Sequence, residues 1–141
     1  MGVGNLTGTY HVRALLSAFH DAHKWFPRKR HRAILRRHAL KLRYWPDHHP
    51  TSDSGLVLDL DYSVIQSLKG EKIFELRIHE SIGDCDNIRV IFWVAPLRHD
   101  QAMPNIWVLA VLQKKRDDFT SAQIDIFLGR KALAIARFYE A

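Results

Sequence analysis

Between Ile73 and Lys115 the chain breaks into three short apolar runs separated by polar, glycine or proline segments. They read Phe74-Glu75-Leu76-Arg77-Ile78, Ile88-Arg89-Val90-Ile91-Phe92-Trp93 and Trp107-Val108-Leu109-Ala110-Val111-Leu112-Gln113-Lys114-Lys115. Runs of this length, rich in β-branched and aromatic residues and bounded by turn formers, predict strands over about Ile73 to Glu80, Asn87 to Ala95 and Ile106 to Gln113. The connections are short enough for hairpins, so antiparallel pairing is expected. Alternation along a strand sets Phe74, Leu76 and Ile78 on one face and Glu75, Arg77 and His79 on the other. The helices are expected to cover the apolar face alone.

Upstream, the period changes. Val12, Leu15, Leu16, Phe19, Ala22, His23 and Phe26 recur at helical spacing, with a short strand over Thr9 to Val12 as an alternative start. Pro27 suits the first turn of a second helix that runs to about Tyr44 and is stopped by Pro46. Its expected apolar stripe is Phe26, Ala33, Leu40 and Tyr44, and its basic stripe is Lys29, Arg32, Arg36 and Arg43. Trp45 to Gly55 reads as a loop, because its polar residues and two prolines sustain neither period. The segment Tyr62 to Leu68, leading into a turn at Gly70, fits either element. Thr120 is placed to cap a last helix, about Ser121 to Tyr139, with Ile124, Phe127, Leu128, Leu133 and Ala134 as its apolar stripe. The predicted architecture is a single α+β domain over residues 1–141: a small antiparallel sheet of three to four strands, two N-terminal helices and a C-terminal helix.

Composition narrows the class. With 141 residues, 47% hydrophobic and 26% charged, the chain can bury a core and is neither disordered nor membrane-like. No apolar stretch approaches a bilayer span and the N-terminus lacks the regions of a signal peptide, so a cytoplasmic protein without membrane contact is expected. The net charge of +6 and pI near 9.7 call for polyanionic partners. Cys85 is the only cysteine, which excludes an intrachain disulfide, and its neighbours Asp84 and Asp86 disfavour a thiolate. His20 and His23, and His48 and His49, lack further ligands at ordered spacing, so neither a metal nor another cofactor is expected.

An ordered set of short features resembles the RelE/HigB-like toxin superfamily, in particular its phage-related addiction-toxin branch. The set is the Leu68-Lys69-Gly70 turn, Glu75-Leu76-Arg77, Arg89-Val90-Ile91-Phe92, the Lys114-Lys115 pair, and the helix after Thr120 through Ala122, Ile124 and Arg130. It covers roughly half the chain. The resemblance implies a type II toxin acting as a ribosome-associated mRNA endoribonuclease, neutralised by a cognate antitoxin of helix-turn-helix type. It also implies a cluster of arginine and lysine with a tyrosine or histidine near the last strand. Here the chain departs from the family, because Gln113-Lys114-Lys115-Arg116-Asp117-Asp118-Phe119 holds no tyrosine and Tyr139 comes a whole helix later. The alternative implied by the superfamily is a non-enzymatic binder of the same fold, a ParE-like gyrase inhibitor or an inactive nucleic-acid-binding relative.

Cleavage through the 2′-hydroxyl requires the phosphate held in line, charge stabilised on its equatorial oxygens, and proton transfer at both ends. Arg77 and Arg89 on neighbouring strands are candidates to clamp the phosphate with forked guanidinium groups, and Glu75 or His79 is the candidate acid or base. Pairing of Glu75 with Arg77 along the sheet is the competing structural reading. Lys114, Lys115 and Arg116 are expected to hold the flanking RNA backbone. The run Arg28 to Arg43, with Lys29, Arg32 and Arg36 foremost, has almost no acidic neighbours and is expected to meet ribosomal RNA or an acidic antitoxin segment.

Overall fold

The computed structural model describes residues 10–97 and 103–139. Its elements follow in the order β1 (His11–Ala14), α1 (Leu16–Trp25), α2 (Lys29–Leu40), β2 (Tyr62–Val64), β3 (Ile73–Ile78), β4 (Ile88–Val94), β5 (Asn105–Gln113) and α3 (Ser121–Phe138). The three predicted strands are β3, β4 and β5, each within two residues of its expected bounds.

The sheet is larger than expected and mixed. Five strands run in the order β1-β5-β4-β3-β2, with β1 parallel to β5 and the other pairs antiparallel. The parallel pair sets His11 opposite Asn105 and Ala14 opposite Val108. Parallel neighbours need a long crossover, and everything from α1 to β4 serves as one. The helical periodicity therefore starts at Leu16, with β1 before it; Thr9 lies outside the described residues. Tyr62 to Val64 resolves as an edge strand against Leu76 to Phe74, followed by a 3-10 turn at Gln66–Leu68 and Gly70 at φ +96°. A left-handed φ of that size is why glycine stands there.

Helices cover both faces of the sheet, correcting the one-face expectation. Ala18, Phe26, Leu35 and Leu42 pack with Leu76, Ile78, Val90, Phe92 and Val94 on one side. Phe127 and Ala134 of α3 pack with Ile73, Ile91, Trp93, Trp107 and Leu109 on the other. The cause lies in β4, where Val90 to Val94 are all buried; an unbroken apolar run marks a strand with no solvent-facing side. Ile91 pairs with Ala110 and Phe92 with Val108, so Leu109 is an extra residue that keeps both Leu109 and Ala110 on the α3 face.

α2 is shorter than predicted and turns a different side inward. It ends at Leu40, and a 3-10 turn carries Lys41–Tyr44. Leu35 is buried and Ile34 half-buried, whereas Ala33 and Leu40 are exposed. Ile34 and Leu35 are adjacent large aliphatics whose burial removes more apolar area than Ala33 offers. On α1, Leu15, Ala18 and Phe26 are buried, and Leu16, Phe19 and His23 face solvent. α3 begins as expected: Thr120 Oγ1 accepts from the Gln123 amide and Gln123 Oε1 accepts from the Thr120 amide, a reciprocal capping box.

Candidate functional site

The polar row predicted on β3 divides into a closed part and an open part. Glu75 is only 5% exposed. Its Oε1 accepts from Arg89 Nε at 2.9 Å and from Lys114 Nζ at 3.5 Å. Lys114 also lies over the Phe119 ring, 4.5 Å from its centroid. The three side chains are nearly buried, and each cation lies against the one carboxylate. The competing structural reading paired Glu75 with Arg77; the pair is made instead by Glu75 and Arg89, on neighbouring strands.

Arg77 and Arg89 are direct cross-strand partners. They do not form a common clamp, because Arg89 turns toward Glu75 whereas Arg77 stays exposed. Arg77 lines a cavity of about 300 Å³ together with His38, Lys41, Asp59, His79 and Glu80. This cavity lies where the C-terminal end of β3 meets the C-terminal end of α2.

Two imidazoles stand there, each bonded to a carboxylate. His79 Nε2 is 2.6 Å from Asp61 Oδ2, and the Arg77 amide donates to the Asp61 carbonyl at 2.8 Å. The second bond ties the loop before β2 to the same strand end, so Asp61 and His79 are set by the sheet. With Nε2–H given to Asp61, His79 keeps Nδ1 as an acceptor, and the ring is largely exposed. His38 hydrogen-bonds Glu80 through Nε2, and its Nδ1 accepts from Lys41 Nζ at 3.2 Å. Arg37 donates to the same Glu80 oxygen at 3.1 Å. Burial lowers the His38 pKa from 6.5, with Lys41 and Arg37 acting in the same direction and the Glu80 hydrogen bond opposing. The Glu80 carboxyl is held below its ordinary 4.5, chiefly by the hydrogen bond from His38. Neutral His38 therefore holds Lys41 in place and is itself anchored by Glu80.

The remaining cations differ in availability. Arg32 is committed to the end of α1, donating to the carbonyls of Phe26 at 3.0 Å and Pro27 at 2.7 Å. Lys29 and Arg36 are exposed on α2, and Lys115 and Arg116 are exposed beyond β5. Cys85 has its thiol pKa raised by burial and by Asp86, against the pull of Lys115. Tyr139, a whole helix after β5 in the chain, accepts from Asn105 Nδ2 at 3.1 Å and Trp107 Nε1 at 3.0 Å, which fastens α3 to the start of β5. Among the described residues no group of three or more His, Cys, Asp or Glu is placed to hold a metal ion. No described helix is long and apolar enough to cross a membrane.

Sequence reading missed Asp61, His38 and Glu80, and saw Lys41 only as one of the basic residues of α2. Asp61 sits in an acidic stretch without period, and His38 and Lys41 disappear into the basic run of α2. The one available signal was their spacing of three, which sets two helical residues on one side. Comparison with protein-family models, with curated proteins and with solved structures finds no match.

Proposed function

We propose that the protein is a metal-independent endoribonuclease that cleaves through the 2′-hydroxyl, a type II toxin of the RelE/HigB-like kind acting on ribosome-bound mRNA and neutralised by a cognate antitoxin. The observation that carries this reading is the Asp61-oriented His79 opening on the same cavity as Arg77 and Lys41. Imidazole is the side chain whose ordinary titration falls near neutral pH, and a carboxylate on its far nitrogen stabilises the imidazolium it becomes. His79 Nδ1 takes the proton of the 2′-hydroxyl as that oxygen attacks phosphorus. Arg77 places a forked, permanently charged donor on the non-bridging oxygens, where negative charge grows. The Lys41 ammonium, oriented by His38, delivers a proton to the departing 5′-oxygen. The products are a 2′,3′-cyclic phosphate and a 5′-hydroxyl.

Glu75, Arg89 and Lys114 act in this reading as support. The one Glu75 carboxylate, on β3, binds Arg89 of β4 and Lys114 just after β5 and so ties the three strands together. Exposed Lys29 and Arg36, with no acidic partner among the described residues, suit ribosomal RNA or an acidic antitoxin segment.

The test is induction in bacteria with mapping of new RNA ends, beside incubation of purified protein with RNA in excess chelator. New 5′-hydroxyl ends with wild-type protein and their loss with His79→Ala are expected. Intact RNA accompanied by a DNA-supercoiling defect would replace nuclease action with gyrase docking.

A further inference from the structure

A second cavity, of about 310 Å³, is lined by Trp25 at the end of α1, by Gln113 to Arg116 at the end of β5, and by Asp118, Thr120 and Gln123 at the start of α3. Trp25 is half-buried, packed against the core on one side and forming cavity wall on the other. Lys115 and Arg116 are exposed, and among the described residues no ion pair or hydrogen bond engages either cation. The strand end beneath them is fixed, because Gln113 Nε2 donates to Asp86 Oδ1 at 3.1 Å and Lys114 is held by Glu75. Thr120 and Gln123 are occupied with capping each other's amides. What stays uncommitted is one indole, two cations and the carboxylate of Asp118.

We infer that this cavity is a binding site for one nucleotide of single-stranded RNA, with the base stacked on Trp25 and the adjoining phosphates on Lys115 and Arg116. An aromatic face accepts any unpaired base, and flanking cations follow the backbone; duplex RNA offers no free base to such a wall. Asp118 supplies an acceptor for a sugar hydroxyl or an exocyclic amine. The register places the site relative to the first cavity. Ile78, Ile88 and Gln113 lie side by side, so the ends of β3 and β5 that bear the two cavities are at the same end of the sheet. They stand two strand spacings apart, ~10 Å. A single strand laid across the strand ends meets both, with its scissile phosphate at His79 and a neighbouring base on Trp25. The inference rests on the nuclease reading for the identity of its ligand.

The experiment uses a fluorescently labelled 2′-O-methyl oligoribonucleotide, which binds but lacks the attacking hydroxyl. Wild-type protein should bind it with quenching of tryptophan emission. The double variant Lys115→Ala/Arg116→Ala should weaken binding about tenfold and make its dependence on log salt shallower by about 1.4, the value for two phosphate contacts on a single strand. Trp25→Phe, which keeps a ring for the core, should bind with most of the quenching gone. Duplex RNA should compete poorly. Equal binding by the double variant, quenching that survives Trp25→Phe, or equal competition by duplex would overturn the inference. The nuclease reading fails separately: an oligonucleotide bound in this way by a protein that leaves ordinary RNA intact removes the cleavage and keeps the cleft. Cleavage by wild-type protein and by cleft variants that bind unchanged does the reverse.

Discussion

Arg130 on α3 reaches Asp21 on α1, with Nη1 2.6 Å from Oδ2, and the pair closes the free edge of β5. β1 covers β5 only as far as Val108, where the Leu15 amide donates to the Val108 carbonyl. Beyond that point the Val111 amide donates to Asp21 Oδ2 at 3.1 Å, and Arg130 Nη1 donates to the Leu109 carbonyl at 2.9 Å. Two side chains from helices at opposite ends of the sequence thus satisfy backbone groups that a strand would otherwise pair, which is needed because an exposed ladder edge is costly when buried and sticky when not.

Asp21→Asn and Arg130→Met should therefore each destabilise the protein, by about 2 kcal/mol, since each leaves a charge or a backbone group without its partner at a mostly buried position. Chemical denaturation of the single variants and the double variant measures the coupling between them. Additive losses would show that the two side chains stabilise the edge independently.

Glu75→Gln should cost about 3 kcal/mol, because it leaves Arg89 and Lys114 close together and nearly buried, with Arg77 directly across the ladder from Arg89. Arg89→Ala should lose stability to a similar degree and, per folded molecule, keep its cleavage rate. Lost cleavage at unchanged stability would return Arg89 to the reacting phosphate.

Stability should fall on acidification through two groups. The His38 pKa is lowered on folding, so between that value and 6.5 the unfolded chain binds the extra proton, and stability declines as pH drops through this range. Glu80 is likewise lowered from 4.5, and its contribution is present above 4.5 and is lost as pH falls below it. Melting temperatures of wild type and His38→Gln across pH 4 to 8 give the check: the variant should lack the upper decline. Parallel curves would remove His38 from the linkage.

The parts of this fold that were legible in the sequence are those with a local cause. β4 and β5 announce themselves by unbroken or alternating apolar runs, and α3 by Thr120 at the cap position and the apolar stripe that follows it. β1 carries only four residues and its parallel partner begins at Asn105, a pairing no window of sequence can display. The same distinction governs the site. Arg77 and His79 were visible as charges on a strand, whereas His38 and Lys41 reach the cavity from a basic helix, and Asp61 reaches His79 from a loop, with a local pattern indistinguishable from a solvated surface.

Lys41→Met should lower cleavage about a hundredfold or more while sparing RNA binding at moderate salt, and the response to the leaving group should identify its role. In the proposed step His79 Nδ1 takes the proton of the 2′-hydroxyl and the Lys41 ammonium gives one to the 5′-oxygen. Asp61→Asn should also slow cleavage, because the imidazolium formed on His79 loses its counter-charge. A substrate whose 5′-oxygen is replaced by a better leaving group separates the acid from a mere charge. It needs no proton, so it should be cleaved by Lys41→Met nearly as fast as by wild type, whereas a lysine acting only on the equatorial oxygens would leave the variant equally impaired on both substrates.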